Sequence, residues 1–321
     1  MAYDGAVRDD RIERIGFREV RAENGRICLN GEPVFLKGLN RHEDHGSTGC
    51  ALPLALMEAD IKMIKALGAN AVRTSHYPND ALFLDLCDEN GILVWEESHA
   101  RGFSPEVTKD PLFLEQSLEV TREMLEEHYN HPSIIIWGCL NECASDDPGA
   151  VPVYEKHMEV IGRDPSRLKT YASHKGKDDL CLQLEDICSF NIYPGWYLER
   201  SAESCLEELR EKMEKEGVSD KPMLISEYGA GAIYNFRDVM KVKWSEDYQS
   251  ELLEKITRFF LQDERLAGFF IWQFCDVRVS GENPPNWPMT RPKSRNNKGI
   301  VDEYRRPKLA YYTLQKLFRA L

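Results

Sequence analysis

The sequence has no run of about 18 consecutive apolar residues, which excludes a membrane-spanning helix. It has no basic segment followed by a short apolar core near its start, so no secretory leader is expected. Positive charge is in deficit: 41 Lys and Arg against 54 Asp and Glu give a net charge of −13. Non-specific nucleic-acid and anionic-membrane binders carry a basic surplus, so neither partner is expected. No CxxC pair occurs among the nine cysteines, and Cys139 and Cys143 are wrongly spaced for a zinc knuckle. Reduced thiols follow, and with them a cytoplasmic setting. No GxGxxG follows an early strand, which argues against a dinucleotide-binding sheet. No GxSxG elbow occurs, although Ser226 precedes Glu227, so a Ser-His-Asp hydrolase has little support. No HExxH helix occurs either. The nearest set of metal ligands is His42-x-x-His45 with Glu43 and Asp44, at a strand end, and neither metal nor cofactor is expected. Internal repeats and low-complexity linkers are also missing.

What the 321 residues do contain is an alternation of two patterns. Short apolar, β-branched or aromatic runs predict eight strands, at 34–40, 71–76, 92–97, 133–140, 168–173, 187–193, 222–227 and 267–275. Amphipathic segments lie between them. One starts near Pro53, carries Met57, Ile61, Ile64 and Leu67 on one face, and stops before Gly68. Another carries Leu114, Leu118, Met124 and Leu125. A third runs from a capping box, Ser204-x-x-Glu207, through Leu209 and Met213 to Gly217. The last, 308–321, ends the sequence. Eight strands alternating with helices predict an α/β fold, a (β/α)8 TIM barrel of ordinary size, with a doubly wound open sheet as the alternative. Residues 1–15 read as a leader or linker remnant, and 16–321 as one barrel domain. The turn-rich stretch 277–307 follows the eighth strand, at the end of a barrel that carries function.

Polar residues gather where the predicted strands end: Asn40 to Asp44, Arg73 to Tyr77, Glu96 and Glu97, Asn141 and Glu142, Asn191 and Tyr193, Glu227 and Tyr228, Gln273 and Asp276. Any one of them alone reads as a solvated strand-end group. A barrel brings all of them round one mouth. Glu142 and Glu227 each close an apolar strand, IIIWGCLNE and MLISE, on opposite sides of that mouth. Two facing carboxylates suit glycoside hydrolysis, where one stays protonated to donate to the leaving oxygen and the other stays ionised. Asn141 can bond a sugar hydroxyl. Tyr193, Trp196, Tyr197, Trp272 and Trp287 offer flat faces on which a sugar ring stacks, or they pack the barrel top.

Four strings carry a resemblance. GLNRHEDHG, RTSHYP, IIIWGCLNE and LISEYG occur in that order and resemble glycoside hydrolase family 2 over about residues 16–321. The resemblance implies a (β/α)8 catalytic domain and a retaining double displacement, with Glu142 as acid/base and Glu227 as nucleophile. It implies His42 and His76 as sugar-site histidines, with Asp44 beside them. SFNIYPGWY resembles the glucuronidase branch, which implies Asn191, Tyr193 and Tyr197 as site residues; Trp272, among the stacking aromatics, is expected to floor the sugar. RNNKG resembles that branch's Asn-x-Lys, so Asn296 and Lys298 are expected to hold a sugar carboxylate. EESHAR has Arg101 where the magnesium-dependent galactosidases place a Glu ligand, so that metal site is not expected. The substrate expected is a terminal β-D-glucuronide. Galactosides, other β-glycosides including galacturonides, and a non-catalytic carbohydrate-binding barrel remain as alternatives. Family members carry a jelly-roll and an immunoglobulin-like domain before the barrel, absent from this sequence, and the former helps form a homo-oligomer.

Overall fold

A computed structural model describes residues 2–3, 6–7, 12, 14–279 and 291–320. Eight parallel strands close on themselves: β1 (Leu36–Arg41), β2 (Ala71–Thr74), β3 (Leu93–Glu97), β4 (Ile134–Cys139), β5 (Leu168–Ser173), β6 (Cys188–Asn191), β7 (Met223–Tyr228) and β8 (Gly268–Ile271). Each pairs with its neighbour in sequence, and β8 returns to β1 with Gly268 opposite Leu36. The helices outside are α1 (Leu54–Leu67), α2 (Ala81–Asn90), α3 (Pro111–His128), α4 (Val151–Ile161), α5 (Ala202–Lys215), α6 (Glu246–Gln262) and α7 (Leu309–Arg319). This is the (β/α)8 TIM barrel expected, with its strands in the expected places.

The local sequence explains most element ends. In α1 the predicted face Met57, Ile61, Ile64 and Leu67 is buried. Its spacing of three and four puts one stripe against the barrel. Gly68 ends the helix at φ 91°, where a side chain would be strained, and its N–H bonds back to the Ile64 carbonyl. The cap of α5 differs from expectation. Ser201, not Ser204, is the N-cap, and its hydroxyl accepts from the Ser204 N–H at 3.1 Å. The helix therefore starts one turn earlier, and Ser204 lies inside it beside Arg200. The β5–β6 link has only a 3-10 turn, Gly176–Asp178, instead of a full helix. Fourteen residues are too few for a helix and two turns. Asp179 pins the link by accepting from Tyr171 at 2.6 Å and Ser145 at 2.6 Å.

Two apolar layers surround the strands. The outer one lies between strands and helices. The inner one joins Leu36, Trp95, Leu224 and Phe270 to Val20 and Ile27 of an N-terminal hairpin, which closes the barrel floor. Inner space is tight, as at Gly138, where a Cβ would lie 2.1 Å from the Trp95 indole nitrogen. Among the described residues, no helix is long and apolar enough to cross a membrane.

Candidate active site

Arg73 of β2 is fully buried, with its guanidinium 4.6 Å from the Trp95 ring. A buried cation needs acceptors on every side. Nη1 donates to Asn40 at 3.1 Å and to Glu227 at 3.1 Å, and Nη2 to Asn141 at 2.8 Å. Nε donates to Glu97 at 2.8 Å. One side chain thus ties five strand ends into the base of a cavity of about 740 Å³.

Glu142 and Glu227 both line this cavity. Glu142 has left-handed backbone, φ 51°, as does Leu140 at φ 50°. Such conformations cost a non-glycine residue roughly 1–2 kcal/mol. Neighbouring strands hold them: the Glu142 N–H donates to the Ala172 carbonyl at 2.9 Å, and the Asn141 N–H to that of Ala100 at 2.9 Å. The Asn191 amide donates to Glu142 at 2.9 Å, and Asn191 in turn accepts from the Ser226 hydroxyl at 2.7 Å. Glu227 accepts the Tyr193 hydroxyl at 2.6 Å besides Arg73. Burial first, then the Glu142 charge, pushes the Glu227 carboxyl up to about 8, while Arg73 and Tyr193 pull it back.

His76 stacks on Trp272 at 5.0 Å, and its Nδ1 lies 2.7 Å from Glu97. Burial, then Arg73 and Arg101, hold its pKa well below that of an ordinary histidine. A neutral ring with Nδ1–H donated to Glu97 leaves Nε2 as an acceptor, 3.9 Å from Glu227.

The opposite wall is built from the segment after β8. Lys298 is 2% exposed. Its ammonium donates to the Tyr197 hydroxyl at 2.7 Å and faces the rings of Tyr197, Tyr193 and Trp196 at 4.8, 5.6 and 5.8 Å. Among the described residues no carboxylate lies within ion-pair distance of it. Burial lowers its pKa. Burial would raise the Tyr197 phenol, but Lys298 and Arg291 outweigh it and hold it below the ordinary value. Asn296 lines the same wall.

Asn141, Asn191, Tyr193, Tyr197 and Trp272 join Glu142, Glu227, His76, Asn296 and Lys298 round this cavity, while two of the expected residues do not. His42 lies behind it, edge-on to Trp272 at 5.5 Å and to His76 at 5.7 Å, with Nδ1 3.2 Å from the Tyr77 hydroxyl. Asp44 corrects the expectation more fully. It is buried and bound to Arg278, accepting its N–H at 2.7 Å and its guanidinium at 2.9 Å, so it anchors the chain after β8. His45 meets Tyr304, not His42. Trp287 lies outside the described residues. The sequence reading missed Arg101, His174, Lys243, Trp244 and Arg291 as cavity residues. Arg101 carried a usable signal, a cation replacing an acid at a strand end. Among the described residues one trio, Asp85, Asp88 and His131, brings three ligand atoms together at the far end of the barrel.

A parallel barrel with two carboxylates in one mouth, bordered by amides and aromatic rings, defines the class of protein: a glycoside hydrolase. The family is explicit in the sequence. Residues 20–321 match glycosyl hydrolases family 2, TIM barrel domain, and the chain belongs to that family. It is 30% identical to a Sus scrofa β-glucuronidase over 98% of its own length and 48% of the relative's. A β-galacturonidase from Eisenbergiella tayi, solved bound to galacturonate, is 51% identical with a TM-score of 0.92, over 96% of this chain and 55% of that one. A β-D-glucuronidase of Dictyoglomus thermophilum is 30% identical with a TM-score of 0.87, over 96% and 54%. The chain spans about half the length of the curated relatives it matches.

Proposed function

We propose that this chain carries the catalytic centre of a retaining exo-β-glycosidase that releases a terminal hexuronic acid. The observation that carries the reading is Lys298: a buried ammonium in the same cavity as Glu142 and Glu227, with no carboxylate near it among the described residues. Leaving an ion dry and unpaired costs several kcal/mol. A sugar carboxylate at C6 pairs with it, helped by the Asn296 amide, whereas a neutral CH2OH does not. The 51% identity to a β-galacturonidase supports galacturonide as the preferred epimer. The glucuronide expected from the Asn-x-Lys string is the second reading, supported by relatives about 30% identical.

In this mechanism Glu227 attacks C1 while Glu142 gives its proton to the glycosidic oxygen. Arg73 and Tyr193 stabilise the ionised nucleophile. Before the transfer the proton sits on Glu142, so its charge is absent and that part of the push on Glu227 is absent with it. The covalent glycosyl-enzyme is then attacked by water, which Glu142 deprotonates, and configuration is retained. His76, with Nε2 as acceptor, takes a hydrogen bond from a sugar hydroxyl, and Trp272 supplies the apolar face. Residues 16–321 act as one catalytic barrel, and partner domains assist in an oligomer.

The test compares kcat/KM on 4-nitrophenyl β-galacturonide, β-glucuronide and β-galactoside. Uronides exceed the galactoside by at least about 100-fold if Lys298 pairs with the carboxylate. A galactoside that matches or beats both uronides would overturn the reading.

A further inference from the structure

We infer that the cavity has a second anion-binding position, at Arg101, for a leaving group that is itself acidic. The substrate is then a uronide joined to another residue bearing a carboxylate or sulfate, such as the end of an acidic oligosaccharide. The inference rests on the uronidase reading and goes beyond it. The cavity lining carries Arg101, Lys243, Arg291 and Lys298 against Glu142 and Glu227, in a chain whose net charge is −13. One sugar carboxylate needs one partner, and Lys298 with Asn296 provides it on the Tyr193 and Tyr197 wall.

Arg101 follows β3, on a different segment of the mouth from Lys298, and its charge also reaches His76. Its loop is bonded to the strand end that carries Glu142: the Asn141 N–H donates to the Ala100 carbonyl at 2.9 Å, and the Gly102 N–H to the Asn141 carbonyl at 2.8 Å. In the proposed mechanism Glu142 protonates the bridging oxygen, and the loop 100–102 beside it is the part of the mouth we assign to the leaving group. Arg101 is exposed, and among the described residues no carboxylate lies within ion-pair distance of it. His174 comes from the end of β5, which also holds the Glu142 backbone, and adds a hydrogen-bonding group on the same side. A guanidinium fork matches a planar carboxylate or a sulfate through paired N–H donors.

The experiment uses three aryl β-uronides with the same sugar and 3-carboxyphenyl, 3-sulfophenyl or 3-carbamoylphenyl as leaving group. Their size is alike, and the Arg101→Gln chain separates the effect of charge from their differing phenol acidity. The wild-type chain is expected to prefer the charged leaving groups by about five-fold in kcat/KM, the scale of one exposed ion pair, with the preference shrinking in 0.5 M NaCl. Arg101→Gln removes the preference, and Arg101→Lys retains part of it. The better of the two anions identifies the natural group as carboxylate or sulfate. A preference that is absent in the wild type, or that survives Arg101→Gln, overturns the inference. So does Arg101→Gln lowering all three substrates by one factor, which assigns Arg101 to the sugar itself. Failure of the uronidase reading has a different signature, cleavage of neutral galactosides in place of all three compounds. Where turnover is slow, calorimetric binding to the Glu142→Gln chain gives the same ratios.

Discussion

Replacing Lys298 with Met is expected to stabilise the protein while damaging its proposed chemistry. Met fills nearly the same volume without the charge. In the wild type the ammonium is 2% exposed. Its desolvation costs several kcal/mol. The Tyr197 hydroxyl at 2.7 Å returns about 1–2 kcal/mol, and the three ring faces, 4.8 Å or more away, return about 1–2 kcal/mol together. The net cost left in the empty site is about 1–3 kcal/mol, and the variant should recover it, raising Tm by a few degrees. The pH dependence has a definite sign. Burial lowers the folded-state pKa of Lys298 below the ordinary lysine value. Between those two values the unfolded chain binds more protons, so wild-type stability rises with pH across that window. The advantage of Lys298→Met is full below the folded pKa and fades as pH rises through the window. Activity moves the other way. Loss of a buried charge pair with substrate costs about 2–4 kcal/mol, roughly 30- to 1000-fold in kcat/KM on a uronide. Galacturonate should raise the Tm of the wild type and not that of the variant. Urea unfolding at several pH values, beside uronide kinetics, reads all of this. A variant that is less stable than wild type and equally active on uronides would refute the reasoning.

Glu142→Gln should lower kcat/KM on alkyl uronides by about 1000-fold or more and spare the first step on a dinitrophenyl uronide, whose leaving group needs no proton, so that the glycosyl-enzyme accumulates. It also removes the charge that raises Glu227, so the acid limb of kcat/KM should move down by about one pH unit; an upward shift would contradict the coupling. Tyr193→Phe takes away a donor to Glu227 at 2.6 Å, so the same limb should move up and kcat fall by about 10- to 100-fold, and an unchanged pH profile would count against the bond's role. Asp60 lies between Arg41 at 3.1 Å and Arg305 at 2.7 Å, all three buried. Asp60→Asn strands two guanidiniums and should cost about 3–5 kcal/mol in chemical denaturation; a loss under about 1 kcal/mol would show that other acceptors suffice. Gly38→Ala puts a Cβ 2.2 Å from the Phe270 ring in the inner layer and should cost about 1–3 kcal/mol by the same measurement.

Elements of this fold were legible because their causes are local. The stripe Met57, Ile61, Ile64 and Leu67 buries one helical face whatever lies opposite, and IIIWGC is buried on both sides as a barrel strand must be. The capping box was misread because Ser201 and Ser204 offer the same hydroxyl at the same spacing, and only the chain's entry angle selects one. The β5–β6 link was misread because alternation predicts a helix where the residues available are too few. Glu142 and Glu227 were legible because each sits at the end of an apolar run with a recognisable string around it.

Partner choice was not legible. Asp44 stands two residues from His42 and reads as a site acid, yet its carboxylate belongs to Arg278, 234 positions away. Arg73 and Glu97 read as two strand ends and prove to be one buried pair. The sequence by itself determined most strands and helices, the barrel they make, and that two glutamates stand at strand ends round one mouth, because hydrophobic period and strand ends act within a few residues. Only the tertiary structure decided which charges are satisfied and which wait for a ligand. Closing the barrel spends the carboxylates near Arg73, Arg41 and Arg305 on those arginines, and among the described residues none remains for Lys298 or Arg101. That difference arises from through-space contact in a desolvated interior, which no local pattern of residues encodes.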